Sequence, residues 1–178
     1  MDESIKQIPP SMGFKRKDSA RKLLRFLNIY GIRRTIFKVM SRSWRAPMLW
    51  RMRQDADIAM VGCGQYAFAT IGYFVSRKFG ARFRWCYDPD MVAAHGFARG
   101  LRVSHIATAR GEWLEDQKVR YVYIASNHAS HTDYACAALA AGRSVYLEKP
   151  VSVNFDSLVR IEAARQRAEE DGQQRLFV

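Results

Sequence analysis

Glu148-Lys149-Pro150 closes a short apolar run, Ser144-Val145-Tyr146-Leu147, and places a lysine where a strand should end. About 85 residues upstream, Ile58-Ala59-Met60-Val61 opens into Gly62-Cys63-Gly64-Gln65-Tyr66-Ala67. In that loop the first glycine permits a tight strand-to-helix turn, and the second lets the backbone approach a pyrophosphate. Ala67 lets the following helix lie close to the strand. Phosphates would meet the unpaired N–H groups at the helix start, so Gly62, Gly64, Gln65 and Tyr66 are candidate cofactor contacts. A lysine at the carboxyl end of a parallel strand can hydrogen-bond a reacting hydroxyl and stabilise alkoxide character as hydride departs. Lys149 is therefore the candidate catalytic residue, with Glu148 orienting it or the cofactor's ribose. The two segments together point to a nicotinamide-dependent oxidoreductase; singly, each also reads as an ordinary turn.

Asp88 lies 26 residues beyond Gly62, at the expected end of the second strand. A carboxylate there hydrogen-bonds the adenosine ribose and repels a 2′-phosphate, which favours NAD over NADP. Two other readings stand beside it: Asp88-Pro89-Asp90 as a turn and helix cap, and Arg82 with Arg84 as a basic clamp for NADP. Ser126, Asn127, His128 and His131 follow the fourth strand, where they can touch the cofactor or hold the next loop. The histidines alternatively cap the helix that begins near Thr132. His128 and His131 lack a third ligand nearby, so no metal site is expected. Cys63, Cys86 and Cys136 match no disulfide or zinc spacing and read as reduced packing residues.

From Asp57 onward, short apolar runs alternate with helical patterns. Strands are expected at 58–61, 81–87, near Val103, 119–125, 144–147 and 174–178. Helices are expected at 65–79, 91–99, around Glu112-Trp113-Leu114, at 132–141 and from a cap at Ser152 or Asn154. The 65–79 helix should carry Phe68, Gly72, Val75 and Phe79 on its inner stripe, and the last helix Phe155, Leu158 and Val159. This alternation implies α/β architecture: a doubly wound parallel sheet, the Rossmann fold, with right-handed crossovers.

At 178 residues, 48% hydrophobic and 26% charged, the composition is that of a soluble globular chain. It holds no apolar run of membrane-spanning length and no secretory core, so a cytoplasmic location is expected. The net charge of +12 is lopsided: residues 1–56 carry 14 Lys+Arg against 4 Asp+Glu, the remainder 15 against 13. The chain thus divides into a basic helical extension, 1–56, and a dinucleotide-binding domain, 57–178. In the extension, Asp18 or Ser19 should cap a helix bearing Ala20, Leu23, Leu24 and Leu27. A break near Asn28 and Gly31 precedes a second helix with Ile32, Ile36, Phe37 and Met40. A basic connector follows with Trp44 and Trp50. Such an arm can pack on the domain or a twin subunit, touch an anionic membrane, or attract a charged substrate; its phosphate affinity would carry no nucleic-acid specificity.

The order and spacing of the glycine loop, Asp88 in Tyr-Asp-Pro-Asp, Ser126…His131, and Ala140-Ala141-Gly142-Arg143 before Glu148-Lys149-Pro150 resemble the glucose–fructose oxidoreductase, inositol dehydrogenase and MocA (Gfo/Idh/MocA) family. The resemblance covers Asp57–Val178. It implies NAD as cofactor, a small-molecule substrate of the sugar or cyclitol class, a catalytic or substrate-positioning role for Lys149, and a homo-oligomer for the full-length protein. The family's Thr-Pro-Asn-x-x-His segment stands here as Ser126-Asn127-His128-Ala129-Ser130-His131, with His128 where asparagine is usual. Family members carry a second, substrate-binding domain that this sequence does not reach, so an incomplete enzyme is expected. A non-catalytic dinucleotide-binding module or a basic membrane or partner adaptor are the alternatives.

Overall fold

A computed structural model of the chain describes residues 16–41 and 55–178. Trp44, Trp50 and the leader before Arg16 lie outside the described residues. The chain divides into two compact units, Met1–Ile36 and Phe37–Val178.

In the first unit, α1 spans Arg16–Tyr30 and α2 begins at Ile32, running to Ser41. Gly31 separates them at φ 80°, a left-handed conformation that favours glycine. Asp18 and Ser19 lie inside α1 rather than capping it. Arg16 and Lys17, both good helix formers, are already helical ahead of them.

The second unit is one six-stranded parallel sheet in the order β3-β2-β1-β4-β5-β6. The strands are β1 (Ile58–Val61), β2 (Phe83–Tyr87), β3 (His105–Ile106), β4 (Tyr121–Ile124), β5 (Ser144–Leu147) and β6 (Leu176–Phe177). This is the doubly wound Rossmann order, with its switch point between β1 and β4. The connecting helices are α3 (Tyr73–Phe79), α4 (Met91–Leu101), α5 (Glu112–Glu115), α6 (His131–Ala140) and α7 (Phe155–Ala168).

The alternation of side chains along a strand builds a core on each face of the sheet. Ile58 and Met60 join Phe68, Phe83, Phe97 and Leu101 on one face. Ala59 and Val61 join Trp113, Val122, Ile124, Leu139 and Ile161 on the other. Phe37, at the start of this unit, is buried against Phe68 and Tyr73, with ring centroids 5.6 and 5.0 Å away.

Several local expectations shift. Residues 67–72 of the first crossover form a π-helix, Ala67–Gly72, and a side chain at Gly72 would overlap Leu101. Phe79 lies at the rim, partly exposed, with the Arg82 guanidinium 5.5 Å from its ring centroid. The third strand forms at His105–Ile106, just beyond Val103. Asn154 caps α7 by accepting a hydrogen bond from Ser157 N. That helix turns Ile161, Ala164 and Ala168 inward, so Phe155, Leu158 and Val159 face solvent. Ala164 and Ala168 are partly buried there beside the fully buried Ile161.

The amino-terminal edge of the sheet is tied by charge. Asp57, almost fully buried, accepts hydrogen bonds from Arg82 and from Arg120, whose Nε lies 2.9 Å away. One carboxylate thereby joins β1, β2 and β4 at the end opposite the functional rim.

Candidate dinucleotide site

The functional loops emerge together because the ladder stays in register to its carboxyl end. Gly62 N donates to Tyr87 O at 2.8 Å, Ala125 N to Val61 O at 2.8 Å, and Glu148 N to Ile124 O at 3.0 Å. The exits of β2, β1, β4 and β5 therefore stand side by side across the rim.

The two glycines of the loop differ. Gly62 adopts φ 88°, and a Cβ there would lie 2.5 Å from both Ala125 C and Ser126 N. Its first duty is close approach to the β4 exit across the switch point. Gly64 is exposed, and a Cβ built on it would meet nothing within 4 Å. That open space beside the start of a helix is where a pyrophosphate would come closest to the backbone. Gln65 and Tyr66 are exposed there, whereas Ala67 is buried against the sheet.

Asp88 is tied to the glycine loop itself. One carboxylate oxygen accepts from Cys63 N at 2.7 Å, the other from Asp90 N at 2.9 Å. Each oxygen keeps a further lone-pair direction, so the carboxylate can brace the loop and still accept from ribose hydroxyls. The cap of α4 is Asp90, which accepts from Val92 N at 2.9 Å. Arg82 is held by Asp57, and Arg84 donates to Asp116 at 2.5 Å; neither forms a clamp beside Asp88. Asp116 also accepts from Trp85 Nε1 at 2.9 Å. Burial opposes its ionisation, but these bonds, with one from Lys118 N, outweigh it and hold the carboxyl at about 2. Cys63 is buried with its Sγ 3.5 Å from Tyr87 O. The neighbouring Cys86 thiol, burial and the Asp88 charge push the Cys63 thiol upward, so it remains a protonated packing group.

Beyond β4, Asn127 Oδ1 accepts from Ser130 N at 3.1 Å and caps the short 3-10 helix His128–Ser130. Ser126 Oγ lies 2.8 Å from Ser130 Oγ. His128 is exposed, its ring centroid 5.5 Å from that of His131. His131 is buried: Nδ1 lies 2.9 Å from Pro150 O and Nε2 lies 3.1 Å from Ser126 O. Each ring nitrogen faces a main-chain carbonyl, and the one that carries the proton donates to it, so the side chain sits between the β4 exit and the Glu148-Lys149-Pro150 turn. In this structure His131 positions that turn and has no ring nitrogen free for a cofactor. Among the described residues, no cluster of three or more His, Cys, Asp or Glu has the arrangement of a metal site.

Tyr66 Oη donates to Glu148 Oε1 at 3.2 Å. This exposed bond contributes little to stability, but it joins the glycine loop to the β5 exit across 82 residues of sequence. Lys149 is exposed immediately beyond it, and the Lys149–Pro150 peptide is cis. Nothing local in the sequence brings Tyr66 and Glu148 together, since only the strand order makes them neighbours. A cavity of about 290 Å³ beside Glu148, lined by Ile71, Tyr123, Tyr146, Leu147, Phe177 and Val178, likewise arises from that order. The signal was present: Tyr121 and Tyr123 share a strand face, and Tyr123 stacks on Tyr146 with centroids 4.6 Å apart. Burial there pushes the Tyr123 phenol up to about 12. A larger groove, about 560 Å³, lies between α6 and α7, away from these residues.

A parallel sheet of this order, with an open glycine loop at its switch point and a carboxylate at the end of β2, defines a dinucleotide-binding Rossmann domain. The sequence model of the oxidoreductase family with NAD-binding Rossmann fold (GFO_IDH_MocA) matches residues 56–177, and the chain belongs to that family. It is 32% identical over 112 residues to inositol 2-dehydrogenase of Ralstonia nicotianae, covering 62% of this chain and 33% of that protein. Inositol 2-dehydrogenase 2 of Saccharopolyspora erythraea is 27% identical over 111 residues, covering 62% and 33%. Among solved structures, GenD2 from gentamicin A biosynthesis in complex with NAD is 28% identical with a TM-score of 0.56, covering 75% of this chain and 35% of GenD2. The chain therefore spans about a third of the length of the curated relatives it matches.

Proposed function

We propose that this chain is the cofactor-binding part of an NAD-dependent oxidoreductase that transfers hydride at a hydroxyl of a sugar, sugar derivative or cyclitol. The observation that carries the reading is the Tyr66–Glu148 hydrogen bond, which links the glycine loop to the turn that bears Lys149. The backbone N–H groups of residues 64–66 and the open side of Gly64 hold the pyrophosphate, while the Cys63 N–H stays on Asp88. Asp88 accepts from the adenosine ribose and disfavours a 2′-phosphate, and the pairing of Arg82 and Arg84 elsewhere supports NAD over NADP. A nicotinamide bound here would supply a hydride acceptor. Lys149 donates a hydrogen bond to the reacting oxygen and stabilises the alkoxide left once a general base outside these residues has taken the hydroxyl proton, while Glu148 and His131 hold the turn that presents the lysine. The substrate class rests on likeness to the inositol 2-dehydrogenases and to GenD2. We assign the protein to the cytoplasm.

NADH fluorescence titration of the chain and of Asp88→Ala tests the binding half of this reading. Losing a charged hydrogen bond to ribose should weaken NADH by about 1–3 kcal/mol. Unchanged affinity in Asp88→Ala refutes the ribose assignment. Turnover of myo-inositol and related polyols by the longest available form of the protein tests the chemical half. NADH binding without turnover of any such polyol would leave a non-catalytic dinucleotide module.

A further inference from the structure

The helices α1 and α2 expose apolar side chains that the oxidoreductase reading does not use. Leu24, Ile29, Tyr30, Ile32, Ile36 and Val39 are between 48% and 65% exposed. On α2, Ile32, Ile36 and Val39 fall at positions i, i+4 and i+7, so they form one stripe along the helix. Phe37, on the same helix, points away from that stripe and is buried. Exposed Arg33 and Lys38 flank the stripe, and Arg21 and Arg25 are exposed on α1 beside Leu24. Residues 16–36 hold seven Lys and Arg against one acid, Asp18. Among the described residues, no helix is long and apolar enough to cross a membrane.

The charge decides between possible occupants of this face. A second copy of the chain would bring another seven cations to the same contact and repel. A nucleic acid would take the cations but leave the isoleucine stripe in water, because phosphate contacts require no apolar partner. An anionic bilayer satisfies both: the apolar side chains enter the boundary between headgroups and acyl chains, and the guanidinium and ammonium groups stay at the phosphate level. We propose that α1 and α2 form an interfacial anchor that lays this oxidoreductase on an anionic phospholipid surface. The inference does not rest on the cofactor assignment.

Sedimentation of the full chain with phosphatidylcholine vesicles containing about 30% phosphatidylserine, against pure phosphatidylcholine, tests it. The chain should sediment with the mixed vesicles and remain in solution with the neutral ones. At about fivefold per cation, Arg21→Gln/Arg25→Gln/Arg33→Gln should lower the affinity roughly 100-fold. Ile32→Ser/Ile36→Ser should lower it at least about tenfold. Ile32→Leu/Ile36→Leu, which keeps the apolar area, should bind as the parent does. Circular dichroism and NADH titration unchanged in every variant separate loss of anchoring from loss of fold or of the cofactor site. Equal sedimentation with both vesicle types, or full binding by the serine variant, overturns the proposal. So does tight retention on duplex DNA that the serine variant keeps while the mixed vesicles hold neither protein.

Discussion

Gly62 and Gly64 are two residues apart and respond to the same substitution in opposite ways. In Gly62→Ala the new methyl carbon would sit 2.5 Å from main-chain atoms of Ala125 and Ser126, at φ 88°. The left-handed conformation costs an alanine about 1–2 kcal/mol. Because the obstruction is backbone, relief requires displacing the β4 exit, at about 1–3 kcal/mol. The total, about 2–5 kcal/mol, should lower the melting temperature by about 5–20 °C in a domain of this size. In Gly64→Ala the methyl meets nothing, so stability should change by less than about 0.5 kcal/mol. It does occupy the space a pyrophosphate needs, and NADH affinity should fall about 10- to 100-fold, or about 1.4–2.8 kcal/mol. Thermal unfolding and NADH fluorescence titration of both variants provide the assay. A Gly64→Ala protein that binds NADH as tightly as its parent refutes the phosphate cradle. A Gly62→Ala protein that melts within about 2 °C of its parent refutes the close approach at the switch point.

Lys149→Ala should leave NADH binding within about twofold of the parent and abolish polyol turnover in any catalytically competent form; steady-state kinetics decide, and retained turnover removes its catalytic role. Asp57→Ala leaves Arg82 partly buried without its carboxylate and should cost about 3–5 kcal/mol in urea unfolding. Asp116→Asn should cost about 2 kcal/mol at pH 7, because folding lowers that carboxyl from an ordinary 3.8 to about 2. A lowered carboxylate stabilises the fold above its unfolded value. The difference between parent and Asp116→Asn should therefore persist at neutral pH and fade as pH drops from near 4 towards 2. A difference independent of pH across that window would contradict the charge-based account.

The fold was legible where the chain obeys one period. Ile58–Val61, Ser144–Leu147 and the glycine loop announce buried strands and a phosphate-sized turn through local residue types alone. Asp88 was legible as a chemical group at a strand end, but its bond to Cys63 N was not, because that bond depends on β2 lying beside β1. Tyr66 with Glu148, and His131 with Pro150, are likewise products of strand order, which no local pattern encodes. The inward face of α7 is not legible in this way, because Phe155, Leu158 and Val159 are its most apolar early residues, whereas the tertiary arrangement buries Ile161 with Ala164 and Ala168 beside it.

The central claim is that one dinucleotide spans the rim from Asp88 and the loop of residues 62–66 to Glu148 and Lys149. A crystal structure of the chain with NADH tests it most directly. The account predicts the adenosine ribose at Asp88, the pyrophosphate against the N–H groups beside Gly64, and the nicotinamide beside Lys149. A cofactor bound in the groove between α6 and α7, or with its nicotinamide at Asp88, would contradict it.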